Sequence, residues 1–344
     1  MRRRSFMVGM AAAAAAAGAT VTGCSSGAGG TGTQASSAPS SGGAFPVTIR
    51  SALGSVTIRS RPDRVVSIGW GSQDVALALG VVPVGMQDMT GNTGDKTGIL
   101  PWDKPKLGDA DPTLIKYVGD QIPYEDIAGL EPDVILATNS GLTADQYVKL
   151  TKIAPTVGYP GKPWLTSWQD QLKIVGRALG KSAEADKLLT RTDELINTVK
   201  KDHPEFAGKT IAFGSGTEAD SYNLYLADDS RVELLHQFGF TISSSLPKTA
   251  ESFAAKISLE KLDTIDADVL VSWYLSSPVQ KQLESSALFA QMPAVKRGGY
   301  VPLTDPAMVY ATSAVSVLSL PWMLDRYLPL LSAAAEGKSP LKKK

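Results

Sequence analysis

Of 344 residues only one is cysteine and two are histidine. A single Cys excludes a disulfide framework, a C-x-x-C redox pair and any cysteine-based zinc site. Two His cannot build a three-His metal centre. An excess of one charge is also missing, since 34 Lys+Arg face 34 Asp+Glu, and without a basic footprint nucleic acid is excluded as a partner. Aromatics make up 7% and apolar residues 43%. That apolar share suffices for real cores, and the length suggests about two domains of roughly 150 residues.

The even charge balance is an average over unlike parts. Arg3-Arg4-Ser5-Phe6 fits a twin-arginine export start, and small apolar residues run from Met7 to Val21. The poly-Ala stretch is too short and too weakly apolar to stay in a bilayer. It ends in Val21-Thr22-Gly23-Cys24, which resembles a bacterial lipobox. The expectation is cleavage before Cys24 and acylation of that residue, with residues 1–23 as signal peptide; an ordinary signal peptide with a chance Cys is the alternative. Two or more acyl chains hold a protein stably on a membrane. Cleavage removes three Arg and no acid, leaving 31 basic against 34 acidic residues. Residues 24–44 read as a lipid-anchored tether: positions 25–44 hold six Ser, six Gly and no charge, a coil spanning roughly 25 Å. Gly23-Cys24-Ser25-Ser26-Gly27 matches the G-x-S-x-G hydrolase pattern, but it lacks the strand before and helix after that the chemistry needs.

From Phe45 onward strand-like runs alternate with helical ones, the signature of an α/β fold. Two stretches recur. Arg64-Val65-Val66-Ser67-Ile68-Gly69-Trp70-Gly71 is echoed by Lys209-Thr210-Ile211-Ala212-Phe213-Gly214-Ser215-Gly216. Glu125-Asp126-Ile127 through Asp133-Val134-Ile135-Leu136 is echoed by Glu260-Lys261-Leu262 through Asp268-Val269-Leu270-Val271. The order is the same in both halves, which predicts two similar lobes, residues 45–167 and 205–332. Between them, residues 168–204 carry apolar residues at helical spacing until His203-Pro204 stops the pattern. One helix there would be roughly 50 Å long and would act as a stiff hinge allowing small rocking.

Catalytic patterns are weak. Gly214-Ser215-Gly216-Thr217-Glu218-Ala219 fits the G-x-G-x-x-A dinucleotide form, but no strand-end acid follows about 20 residues on. His203 and His236 read as structural or surface residues, and neither has a partner at ligand spacing. Aromatics, in contrast, collect where strands end. Trp70 follows Val65–Ile68, Trp273 and Tyr274 follow Asp268–Ser272, and Tyr310 lies beyond Tyr300–Thr304. Asn139 follows Val134–Thr138. Trp102 and Trp164 lie in Pro/Gly-rich loops, and Tyr222 comes after the Gly214 turn. Each alone is more often a core residue than a ligand contact. Together they would line a cleft for a large organic ligand beyond the carboxyl ends of the strands.

Arg64-Val65-Val66-Ser67 with Ala78-Leu79-Gly80-Val81-Val82-Pro83-Val84-Gly85 resembles the opening of the iron-siderophore and vitamin B12 binding proteins of ABC importers. So do Tyr124-Glu125-Asp126-Ile127 through Leu130-Glu131-Pro132-Asp133-Val134-Ile135 and Lys152-Ile153-Ala154-Pro155-Thr156-Val157. Tyr159-Pro160-Gly161-Lys162-Pro163-Trp164 and the following Thr166–Gln171 are similar to actinobacterial siderophore-binding lipoproteins. The resemblance covers about residues 47–330. It implies the class III periplasmic binding protein fold, two Rossmann-like lobes joined by one long rigid helix. It also implies a monomer that binds its ligand between the lobes and docks on a permease through Glu125 and Glu260. No catalysis is expected and no cofactor, because iron arrives already chelated in the siderophore. The cleft loops offer few cations, namely Lys96, Lys104, Lys162 and Arg231, which favours a ferric hydroxamate held by aromatic contacts and Arg231. Cobalamin or haem is the alternative ligand, and a secreted α/β enzyme resting on the Gly214 pattern is the alternative from another class.

Overall fold

The computed structural model describes residues 45–117, 121–218, 220–250, 253–274 and 276–339. The expected signal peptide, Cys24 and the tether lie outside the described residues.

A hairpin of β1 (Val47–Ser51) and β2 (Gly54–Ile58) precedes the first lobe. Five strands then form a wholly parallel sheet: β3 (Val65–Ser67), β4 (Gly85–Gln87), β5 (Thr113–Ile115), β6 (Val134–Leu136) and β7 (Thr156–Val157), in spatial order β5-β4-β3-β6-β7. Helices α1 (Ser72–Ala78), α2 (Lys104–Leu107), α3 (Tyr124–Gly129) and α4 (Ala144–Thr151) lie along the connections. A parallel sheet is covered on both faces, so its strands are apolar throughout. Successive side chains divide accordingly: Val65, Val134 and Leu136 face the main core, whereas Val66, Ile68, Ile135 and Ala137 face a second apolar cluster.

The second sheet contains β8 (Thr210–Ser215), β9 (Ser221–Tyr225), β10 (Thr241–Ile242), β11 (Ala254–Ser258), β12 (Val269–Trp273) and β13 (Tyr300–Leu303). Its order is β11-β9-β8-β12-β13, with β10 beside the start of β8. Strands β10, β8, β12 and β13 run parallel, but β9 and β11 are antiparallel to their neighbours. The second lobe is therefore a mixed sheet. Only five residues separate β8 from β9, too few for the crossover that a parallel neighbour requires.

The two echoes mark equivalent places. Asp133 Oδ2 accepts from the N–H groups of Asp63 and Arg64, both at 2.8 Å. Asp268 Oδ2 accepts from Thr210 N at 2.9 Å. Each Asp ties the entry of its own strand to the start of the adjacent central strand. The pairing corrects the register, however. Val134 faces Val65 and Val269 faces Ile211, so Val65 corresponds to Ile211, one residue beyond the match by sequence pattern.

The connecting segment is also corrected. It is two helices rather than one, α5 (Trp168–Ala178) and α6 (Ser182–Asp202), packed on each other. Gly180 takes φ 66°, a left-handed conformation that only Gly adopts freely. Its N–H donates to Arg177 O at 3.2 Å, and Lys181 N–H donates to Gly176 O at 2.7 Å. This pair of bonds is the Schellman termination. The long helix joining the sheets is thus α6, 21 residues or about 30 Å, closed by His203-Pro204. After β8 come α7 (Ser230–Gln237), α8 (Ser277–Ser285), α9 (Ala287–Gln291), α10 (Pro293–Arg297), α11 (Pro306–Ser313) and α12 (Ser319–Ala335). Helix α12 continues past residue 332, the boundary expected for this lobe, and packs on β12 and β13.

Candidate functional site

In the first sheet the direction of winding reverses between β3 and β6, and open α/β sheets bind ligands in the crevice beyond the strand ends at such a point. Here β3 leads into Gly69-Trp70-Gly71 and β6 into Asn139-Ser140-Gly141. The two exits are stitched together by Trp70 N–H donating to Asn139 O at 2.8 Å. Below them Thr138 Oγ1 bonds Ser72 Oγ at 2.9 Å and Gln171 Oε1 at 3.2 Å.

A cavity of 410 Å³ opens at this place, lined by Ile68, Gly69, Gln87, Tyr117, Ile122, Ser140, Gly141, Leu142, Thr143, Gln146 and Trp164. None of these side chains is charged. Gln87 is the last residue of β4 and is held by accepting from Gly69 N at 3.0 Å. Trp164 has φ 62°, a strained conformation for a bulky residue, and such strain collects at functional sites. Its indole lies on Gly141: a Cβ there would stand 2.5 Å from Trp164 Nε1.

Trp164 begins a run of aromatic contacts. Its ring is 5.1 Å from Trp70, which is 5.3 Å from Tyr310; Tyr310 stacks on Trp102 at 6.1 Å, and Trp102 meets Trp322 at 5.0 Å. The run joins the first sheet's exits to α11 and α12. Trp102 Nε1–H donates to Asp74 Oδ2 at 2.6 Å. Tyr310 is 1% exposed, and burial, followed by the nearby Asp74 carboxyl, pushes its phenol up.

Nine ligand residues are expected from the sequence. Trp164 lines the cavity; Trp70 and Asn139 flank it; Tyr310 and Trp102 continue the aromatic wall behind it. The remaining four are not brought to this cavity. Tyr222 is buried in β9 and donates to Ser272 Oγ at 2.9 Å. Tyr274 is buried and accepts from Tyr300 at 2.8 Å. Trp273 Nε1 donates to Tyr225 at 2.9 Å. Arg231 is 3% exposed, pairs with buried Asp229 at 2.8 Å and lies 4.5 Å from the Tyr225 ring centroid and 5.2 Å from that of Phe253. Its guanidinium is therefore engaged inside the second lobe. Of the other expected cleft cations, Lys104 pairs with Asp95 at 2.6 Å, and Lys96 and Lys162 are exposed.

Sequence reasoning missed Gln87, Tyr117, Ile122, Leu142, Thr143 and Gln146. Gln87 was within reach, because it stands at a strand exit next to β3. The expected docking residues are both exposed, Glu125 in the first turn of α3 and Glu260 in a 3₁₀ turn (Leu259–Thr264). Among the described residues no group of three or more His, Cys, Asp or Glu could hold a metal ion. No described helix is long and apolar enough to cross a membrane.

The chain is similar to the crystal structure of PiaA from Streptococcus pneumoniae in complex with ferrichrome, with 32% identity and a TM-score of 0.77, covering 85% of this chain and 99% of that one. It is 35% identical to a periplasmic solute binding protein from Mycobacterium smegmatis, TM-score 0.73, over 84% of this chain and 98% of that one. It is 27% identical over 293 residues to the probable siderophore-binding lipoprotein YfiY of Bacillus subtilis, covering 81% of this chain and 85% of that protein. Residues 65–306 match the family described as Periplasmic binding protein. That span runs from the first strand of the parallel sheet to the start of α11 and contains the switch-point cavity, and the chain belongs to the periplasmic binding protein family.

Proposed function

We propose that this chain is the substrate-binding component of an ABC importer, which captures a ferric siderophore of hydroxamate type and hands it to a membrane permease. The observation that carries the ligand class is the uncharged wall of the 410 Å³ cavity. Burying a highly anionic catecholate complex there would leave its charge without partners, at heavy desolvation cost. A neutral ferric hydroxamate needs apolar and aromatic contact with a few hydrogen bonds, and Trp164, Ile68, Leu142, Gln87 and Thr143 supply these. Likeness to a ferrichrome-bound structure supports the same class. Trp70, Asn139, Trp102 and Tyr310 support the wall. Tyr222, Arg231, Trp273 and Tyr274 would act from the second lobe only after leaving their present partners. Iron enters as cargo inside the ligand, and the protein binds and releases without catalysis.

Glu125 and Glu260 are proposed as docking carboxylates for permease arginines, because bidentate Arg contacts suit two equivalent acids facing a two-fold partner. Export and lipidation at Cys24 would place the protein as a monomer on the outer face of the cell membrane. Ferrichrome should quench tryptophan fluorescence with a Kd of about 1 μM or tighter, and Trp164→Ala should weaken it about tenfold, or ~1.4 kcal/mol. Tighter binding of a ferric catecholate, or of cobalamin, would overturn the ligand class.

A further inference from the structure

Two acidic side chains lie fully buried behind the aromatic wall, Asp74 on α1 and Asp103 just before α2. Asp74 Oδ2 accepts two hydrogen bonds of 2.6 Å, one from the Trp102 indole and one from the hydroxyl of Ser316. Ser316 is 242 residues away in sequence, in the turn between α11 and α12. A single carboxyl oxygen therefore joins the first lobe to the helices of the second. Asp74 Oδ1 and both oxygens of Asp103 are buried and have no hydrogen-bond partner. Neither acid forms an ion pair among the described residues.

Among the described residues no compensating charge pairs with either acid. Tyr310 from α11 is near enough to both carboxyls for their charge to help raise its phenol. Helix α5 packs on α1, but its Asp170, Lys173 and Arg177 are exposed, as are Lys104 and Lys106 of α2 and Asp325 and Arg326 of α12. Two fully buried carboxylates with no counter-charge cannot both ionise cheaply. Burial, and then the charge of Asp74, hold the Asp103 carboxyl well above the usual carboxylate range. Burial pushes Asp74 up to about 6, against its two donated hydrogen bonds. Asp74, with two donors, is the better acceptor; Asp103, with none, is the better holder of a proton.

We propose that Asp74 is a positioning residue: it and Asp103 hold one proton between them, and the Asp74 carboxyl fastens the Ser316 turn to Trp102 and thereby sets the aromatic wall. The last clause rests on the ligand site proposed above; the proton-sharing and the fastening do not. Raised carboxyl pKa values mean that the native state binds protons more tightly than the unfolded one. The pair's contribution is accordingly complete at low pH and is lost as pH rises through its native ionisation, when the proton leaves to water and two buried negative charges remain.

The test uses the full chain without ligand and the variant Asp103→Asn, a neutral carboxamide in place of the proton-carrying acid. The thermal midpoint of the variant minus that of wild type should be smallest at roughly pH 4, near the unfolded carboxyl's own value, and rise by several degrees towards roughly pH 9. Over the same range amide exchange at residues 316–319 should become slower in the variant than in wild type. A difference that does not change with pH overturns proton-sharing, and unaltered exchange at 316–319 overturns the fastening. Infrared spectroscopy judges the wild type directly, guarding against a variant that fails to fold. At neutral pH it should show a protonated-carboxyl band, and absence of that band also overturns the proposal. Failure of ferrichrome to bind would sink the ligand reading while leaving these ligand-free results to decide the pair.

Discussion

Asp268 stands where a turn enters the central strand β12, and its surroundings set its charge. Burial alone would raise its pKa. The Thr210 N–H and hydroxyl, at 2.9 and 3.0 Å, and then Arg297 at 3.8 Å outweigh that and hold the carboxyl below the usual range. A depressed native pKa stabilises the fold above the unfolded value and loses that contribution as pH falls through the native one. Asp268→Asn should therefore cost about 1 kcal/mol at neutral pH, and the gap should close below roughly pH 3; urea unfolding at both pH values measures it. A gap independent of pH would contradict the assignment. That Asp268 guards a strand entry was legible in the echo with Asp133. The burial of Arg231 was not, because charge and position in sequence do not reveal that Asp229 and two rings enclose it.

At the scale of elements, apolar spacing carried the helix prediction straight across Leu179, which keeps the period, and past Gly180, which breaks it. Periodicity records which side chains face the core but not where the backbone reverses hand. The structure puts the break at a glycine whose Cβ, if present, would meet the Phe45 ring at 2.6 Å. Gly180→Ala should lower stability by about 1 kcal/mol or more, read as a fall in thermal midpoint, while leaving ferrichrome affinity intact. The mixed character of the second sheet was hidden for a related reason. A short buried strand reads alike in either direction, and only loop length decides.

For the molecule as a whole, the sheets are linked by a single 21-residue helix and the lobes share an extended core. A large closure fits poorly with that construction. Reversal of both Glu125 and Glu260 to Lys should abolish uptake in cells and leave ferrichrome affinity unchanged within about twofold. Uptake that survives the double reversal would remove these residues from the docking surface. The site was legible at this scale as a rule, that ligands lie beyond strand ends at the switch point. Its members were legible only in part, because Tyr117, Leu142 and Thr143 reach the cavity from loops.

By itself the sequence determined the α/β class, the two-lobe order, the strand-entry aspartates and the lack of metal-binding His and Cys clusters, since all of these follow from local pattern and composition. Tertiary structure alone decided which aromatics meet, which cations are spent on partners, and that Asp74 and Asp103 are buried together. Those outcomes depend on distances between residues far apart in the chain, on which local pattern is silent.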